Sequence, residues 1–173
     1  MKYLPTAFAN LFFAWKLYHY GLDGKIDVDD LDADITFQEN GMIFVLPRRI
    51  FENYGDFINA LQNNLTIAFG AAAITLKRSC EEAGLKEPND IVSENDQCIA
   101  LISQIRNAFS HDISEPRWEM RNPKYLRVYE FGGIRVDLTG LNGQLFAYEQ
   151  IGGPDALILI KEYAETNLWP PSS

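Results

Sequence analysis

Residues 93–112 read SENDQCIALISQIRNAFSHD, and the reading of this stretch decides the fold. Cys98, Leu101, Ile102, Ile105 and Phe109 recur at intervals of three and four residues, the spacing of one face of an α-helix. Ser93 and Asp96 in front of them form a Ser-x-x-Asp variant of the capping box, which predicts a helix over residues 94–111. The polar end of that helix carries Arg106, Asn107, Ser110 and His111, followed at once by Asp112. An arginine is a permanent planar cation and a histidine can move a proton near neutral pH, so the pair is the minimum equipment for cleaving a phosphodiester without a metal. At about 100° per residue, Arg106 and His111 diverge by about 140° on one straight helix and would not meet across a single substrate. A plainer reading puts Arg106 in an ion pair with a glutamate of a neighbouring helix and makes His111 a C-terminal cap.

Upstream, Phe57, Leu61, Leu65, Ala68, Phe69, Ala72, Leu76 and Cys80 keep the helical period and predict a long helix over 54–83, with Gly84 as its stop. Gly70 to Ala73 have almost no side chain, so another helix can approach there, from the same chain or from a second copy. Phe8, Leu11, Phe12, Trp15 and Tyr18 predict a first helix over 6–20, stopped by Gly21. Two short apolar runs, 35–37 and 42–46, flank Glu39, Asn40 and Gly41 and suggest a small hairpin.

Downstream of Pro116 the period shortens. Residues 125–131, 134–138 and 145–148 read as strands joined by Gly132-Gly133 and by a turn at Asn142-Gly143, a three-stranded antiparallel meander over 125–148. Ala156, Leu157, Ile160, Tyr163 and Ala164 predict a last helix over 154–168 with Pro154 at its first position, and a frayed tail from Pro170. No repeat, low-complexity tract or linker divides the chain. The expected architecture is a single, mainly α domain over 1–173, an up-and-down bundle of four to five helices with a small antiparallel β-meander attached.

With 47% hydrophobic and 23% charged residues, the chain has enough apolar material for one core and does not read as disordered. Lys2 and the apolar residues 3–15 superficially suggest a signal peptide, but Asn10 interrupts them and no small-residue cleavage site precedes Lys16. No stretch approaches the roughly 20 apolar residues of a membrane span, so a soluble protein without a membrane partner is expected. Cys80 and Cys98 fall on apolar stripes and read as buried free thiols, which points to the cytoplasm. Together with the distant His19 and His111 they show no ligand spacing, so neither a metal site nor a cofactor is expected. His19 itself reads as a capping or packing residue. Tyr18, Tyr20, Trp118 and Tyr129 read as core aromatics, with base stacking as the alternative.

The net charge of −9 argues against broad, non-specific binding of nucleic acid. Its distribution is uneven. Between Asp23 and Glu39 seven acidic residues face Lys25 alone, whereas between Arg117 and Arg135 five basic residues face Glu119 and Glu130. The acidic run is no calcium loop, because counting from Asp30 the required glycine is Ile35 and the closing glutamate is Gly41, so it reads as a solvated loop. The basic stretch directly follows the Arg/His motif and makes a local anion site compatible with an acidic chain.

The stretch IRNAFSHD, residues 105–112, resembles the signature of HEPN domains, the higher eukaryote and prokaryote nucleotide-binding superfamily: an arginine, a polar residue beside it and a histidine a few positions later at a helix end. Beyond these residues the resemblance rests on the helical architecture. It implies a metal-independent endoribonuclease of a toxin or defence type, acting as a homodimer that brings two motifs together, or else a catalytically inactive module that binds a partner protein or nucleotide. Arg106 would match the family arginine, Asn107 its polar neighbour and His111 its histidine. His111 would then be the acid or base, Arg106 would hold the phosphate, and Asn107 would orient backbone or substrate. Ser110, Asp112, Arg117 and Arg121 complete the expected substrate-binding set, with Asp112 either orienting His111 or capping the next turn. A two-fold axis would reconcile the 140° divergence of about one helix face by supplying Arg106 and His111 from different subunits. The partners implied are a second copy, RNA, and an antitoxin or other protein. Some toxin members carry a tyrosine two residues after the histidine, where this chain has Ile113.

Overall fold

In a computed structural model the helical periods of the sequence become five α-helices among the described residues: α1 Leu4–Leu22, α2 Val28–Leu31, α3 Tyr54–Glu82, α4 Glu94–Ala108 and α5 Ala156–Asn167. Two antiparallel hairpins accompany them, β1 Ile35–Glu39 with β2 Met42–Leu46 and β3 Val128–Phe131 with β4 Ile134–Asp137. The structure describes residues 3–31, 33–46 and 50–169, so Lys2, Asp32 and the tail from Pro170 lie outside it. The protein is mainly helical, and no described helix is long and apolar enough to cross a membrane. It packs as two units, Leu11–Leu65 and the combination of Met1–Asn10 with Thr66–Ser173, and the division falls inside α1 and α3 rather than at a linker.

In the unit Leu11–Leu65, α1 runs past the stop expected at Gly21. Gly24, at φ +66°, is the residue that ends it, with Lys25 N–H donating to the Tyr20 carbonyl at 2.8 Å. Gly21 is needed for room instead, since a Cβ there would strike the Leu61 side chain. The buried positions of α1 include Leu4, Phe8, Leu11 and Ala14, while Phe12, expected on that stripe, is exposed. Asp29 and Asp30 fall in the single turn α2, and the described acidic residues of the run are exposed, with Asp29 N–H donating to Asp27 Oδ1 at 3.0 Å. β1 and β2 pair from Ile35↔Leu46 to Glu39↔Met42. Asn40 and Gly41 both have positive φ, as a two-residue hairpin turn demands.

The other unit is built around α4. Its capping box forms as expected, Asp96 N–H donating to Ser93 Oγ at 3.1 Å and Ser93 N–H to Asp96 Oδ2 at 2.9 Å. Every residue from Cys98 to Ile105 is buried, so α4 is enclosed nearly all round rather than along one stripe. β3, β4 and α5 pack on it or beside it. Glu130 N–H donates to Gln97 Oε1 at 2.8 Å, and Tyr163 Oη donates to Asn95 Oδ1 at 3.0 Å. The small-residue stretch of α3 receives Phe109 and Ile113 of the same chain. Burial raises the thiol pKa of Cys80 to about 11 and pushes that of Cys98 further up, as inert core cysteines require.

The expected meander is realised only in part. Its first two strands pair from Val128↔Asp137 to Phe131↔Ile134 across Gly132-Gly133. The third is not a strand of that sheet: Leu145 bridges to Arg117, and Tyr148–Ile151 is a 3₁₀ turn. The turn at Asn142-Gly143 directs the chain along residues 116–118 instead, where Gly143 N–H donates to the Trp118 carbonyl at 2.7 Å and Phe146 N–H to the Pro116 carbonyl at 2.8 Å. α5 begins at Ala156 after an Asp155 N-cap, two residues later than expected, because Pro154 lies in the preceding turn.

Two predictions follow from this packing. In Gly70→Ala the new Cβ would lie 2.7 Å from Phe109 Cδ1 and 2.9 Å from Ile113 Cγ1. Overpacking of this kind costs about 1–3 kcal/mol, more than the ~1 kcal/mol that alanine gains in helix propensity. The urea midpoint should fall; an unchanged or higher midpoint would show that no close approach exists there. Secondly, hydrogen bonds from the Ser93 backbone and side chain hold the Asp96 carboxyl below the usual range. Its contribution is therefore complete above the ordinary aspartate pKa and is lost as the pH falls through the lowered folded value. Asp96→Asn should flatten that part of the acid-unfolding profile, and a profile identical to the wild type would refute the assignment.

Candidate functional site

α4 ends at Ala108, three residues before the end that the sequence predicts. Phe109 leaves the helical path at φ −99° and ψ 3°, its N–H shared between the Arg106 and Asn107 carbonyls. The cause is tertiary. The Phe109 ring enters a cluster with Phe69, Phe146, Tyr148 and Trp118, lying 5.5 Å from Phe69 and 4.9 Å from Phe146 between centroids. Ser110 closes one further turn, its N–H and Oγ both donating to the Asn107 carbonyl, at 3.1 and 2.8 Å. His111 therefore does not continue the helix, and the divergence expected for a straight helix does not apply. Arg106, Asn107, Ser110 and His111 line one open cleft of about 530 Å³ within a single chain, together with Arg121.

Glu119 and Arg121 line the same cleft from the extended segment 117–121. Trp118 and Met120 are buried while Arg117, Glu119 and Arg121 alternate outward, a period of two that the sequence RWEMR carries. Trp118 Nε1 donates to Gln150 Oε1 at 2.7 Å, Trp118 N–H to the Gln144 carbonyl at 2.9 Å, and Met120 N–H to Asn142 Oδ1 at 2.8 Å. This lattice fixes Glu119, whose Oε2 lies 3.2 Å from His111 Nε2. The imidazole thus has a carboxylate on one nitrogen and leaves Nδ1 for other work.

The remaining residues of the expected site divide cleanly. Asp112 Oδ1 accepts from Ser114 N–H at 2.8 Å and Glu115 N–H at 3.1 Å, so it caps the following turn and does not orient His111. Arg117 pairs with Glu115 at 3.4 Å, and neither Asp112 nor Arg117 lines the cleft. Arg106 makes no ion pair among the described residues; its Nη1 donates to the adjacent Asn107 Oδ1 at 3.1 Å. Arg121 lines the same cleft.

Sequence reading overlooked Glu87, Gln104, Tyr125 and Glu119 as residues of the cleft. Gln104, buried inside α4, turns its Nε2 toward Glu87 Oε1 at 3.5 Å. Burial, and then the adjacent Glu87 carboxylate that accepts its hydrogen bond, push the Tyr125 phenol above the ordinary tyrosine range, so it stays a protonated donor. Lys124 Nζ donates to the Pro88 and Asn89 carbonyls at 2.9 and 3.0 Å and ties the Glu87 loop to Tyr125. The alternation in RWEMR was a signal for Glu119; nothing local announced Glu87 or Gln104. Trp118 and Tyr129 are fully buried and belong to the core, which leaves Tyr125 as the aromatic side chain of the cleft.

Chemically, the cleft offers two guanidinium groups, an imidazole held by a carboxylate, and the amide donor of Asn107. This set suits an anion with several acceptor oxygens whose reaction requires a proton to move. Among the described residues no group of three or more His, Cys, Asp or Glu side chains is arranged to hold a metal ion. No protein-family model, curated protein or solved structure matches this chain.

Because Glu119 depends on its anchored neighbour, Gln150→Ala should strand the buried indole N–H of Trp118. That change should cost about 1–3 kcal/mol in chemical denaturation and speed exchange of the Trp118 indole proton. Unaltered stability and exchange would mean that the hydrogen bond does not hold the segment 117–121.

Proposed function

We propose that this chain is a HEPN-like, RNA-binding endoribonuclease that works without a metal ion, as a cytoplasmic homodimer of a toxin or defence type, on an up-and-down helical bundle. The observation that carries the reading is the sharing of one cleft by Arg106, His111 and Arg121, with Glu119 on the imidazole. In this reading His111 Nδ1 takes the proton of the 2′-hydroxyl, and the freed oxygen attacks phosphorus in line. The bond from phosphorus to the 5′-oxygen breaks, giving a 2′,3′-cyclic phosphate and a 5′-hydroxyl once that oxygen is protonated. Arg106 and Arg121 offset the charge that gathers on the phosphorane oxygens. Glu119 fixes the ring and stabilises the imidazolium that forms.

The two-fold axis has a different purpose from the one that the sequence suggests. A single chain already brings guanidinium and imidazole together, whereas it offers one histidine in this cleft for two proton transfers. A second copy would supply the imidazolium that protonates the leaving oxygen.

Ile113 favours a second reading, that of a catalytically inactive module of the same family that binds a partner protein, an antitoxin or a nucleotide. Where some toxins carry a tyrosine, Ile113 instead packs on Gly70.

The experiment is cleavage of a mixed RNA pool by the purified protein in buffer containing EDTA. Wild-type protein should cut, and His111→Ala and Arg106→Ala should each lose about 10²–10⁴-fold in rate with an unchanged circular dichroism spectrum. Equal cleavage by His111→Ala would sink the catalytic assignment, and no turnover of any RNA pool by the wild type, together with a stable partner complex recovered from cells, would favour the second reading.

A further inference from the structure

A second cleft, of about 490 Å³, adjoins the first and shares Arg106, Asn107 and Glu87 with it. Its outer side is formed by the C-terminal turn of α3 and the loop that follows, and contributes Lys77, Glu81 and Lys86. Lys77 Nζ is 3.3 Å from Glu81 Oε1, an i,i+4 pair in which the lysine side chain is largely buried and the glutamate exposed. Lys86 is exposed and makes no hydrogen bond or ion pair among the described residues. Taken together the two clefts hold Lys77, Lys86, Arg106 and Arg121 against Glu81, Glu87 and Glu119, a cationic excess in a chain whose net charge is −9. Glu87, at the boundary, is engaged by the Tyr125 hydroxyl and faces the Gln104 amide, so donors surround part of its charge.

Resting on the nuclease reading, we infer that the site engages at least two successive phosphates of single-stranded RNA. The scissile phosphate lies in the first cleft, and its neighbour lies in the second against Lys86 and Lys77. Arg106 and Asn107 form the ridge between them. The geometry fits a single strand better than a duplex. A flexible backbone can bend over a ridge and place consecutive phosphates on its two sides, whereas a rigid helix presents them along a smooth edge. Lys86 is then a positioning and affinity residue that touches no reacting atom.

The test uses the full-length protein and fluorescein-labelled 2′-O-methyl RNA, which cannot be cut because the nucleophilic hydroxyl is blocked. A dinucleotide with one phosphate and an octanucleotide are titrated by anisotropy over a range of salt concentrations. Lys86→Ala should weaken the octanucleotide several-fold, lower the slope of log Kd against log salt by about 0.7, and leave the dinucleotide unaffected. Arg135→Ala, a cation of the β3–β4 hairpin outside both clefts, should change neither. Equal loss on both RNAs, or equal loss in Lys86→Ala and Arg135→Ala, would overturn the two-phosphate site, as would no loss at all. If cleavage is lost in His111→Ala while Lys86→Ala binds normally, the extended site alone fails. If the wild type binds neither RNA, the nuclease reading fails with it.

Discussion

The insertion of Phe109 between Phe69 and Phe146 is the interaction on which the rest of the site depends. Aromatic rings at 4.9 to 5.5 Å between centroids bury much surface and fix orientation as well as distance. Once Phe109 is committed to that cluster, its backbone cannot continue α4, and the chain leaves the helix before His111. The same ring of contacts holds Phe146, whose neighbours pair with residues 116–118 and so carry Glu119 back toward the imidazole. A single packing event thus positions both His111 and Glu119. The absence of side chain at Gly70 is the condition for it, because Phe109 and Ile113 occupy the space that a Cβ would fill.

In the proposed reading, the cleft would hold an anion without being a general trap for polyanions. Its cations are interleaved with Glu87 and Glu119, and each carboxylate has a partner, an imidazole in one case and a phenol in the other. The field is therefore short in range and depends on contact geometry. That matches a chain with a strong overall negative charge, in which distant steering would repel nucleic acid and affinity must be gained at close quarters.

The helices were legible wherever the apolar period was unbroken and a cap closed it. Ser93 and Asp96 at the start of α4 and Gly84 after α3 behave as their sequence signals indicate. Both hairpin turns were legible too, because paired positive φ values favour Asn and Gly. What the sequence did not reveal was set by contacts distant along the chain. The early end of α4 has no local breaker, and Leu145 to Tyr148 have good strand residues but a better partner in residues 116–118. In the site, Arg106, Asn107, Ser110, His111 and Arg121 could be named from composition and spacing, whereas Glu87 and Gln104 meet only because a loop tied down by Lys124 returns to α4.

The backbone hydrogen bond from Arg117 N–H to the Ala108 carbonyl, at 3.0 Å, closes the segment 108–117 at its neck. The imidazole accordingly rides on a small ring of chain whose two ends are stitched together, with its foot in the aromatic cluster. A segment pinned at both ends keeps the freedom of rotamer hops and loop breathing, motions that in proteins run on the order of nanoseconds to microseconds. In the proposed nuclease reading, turnover at such a centre would be set by how quickly an RNA strand threads past it.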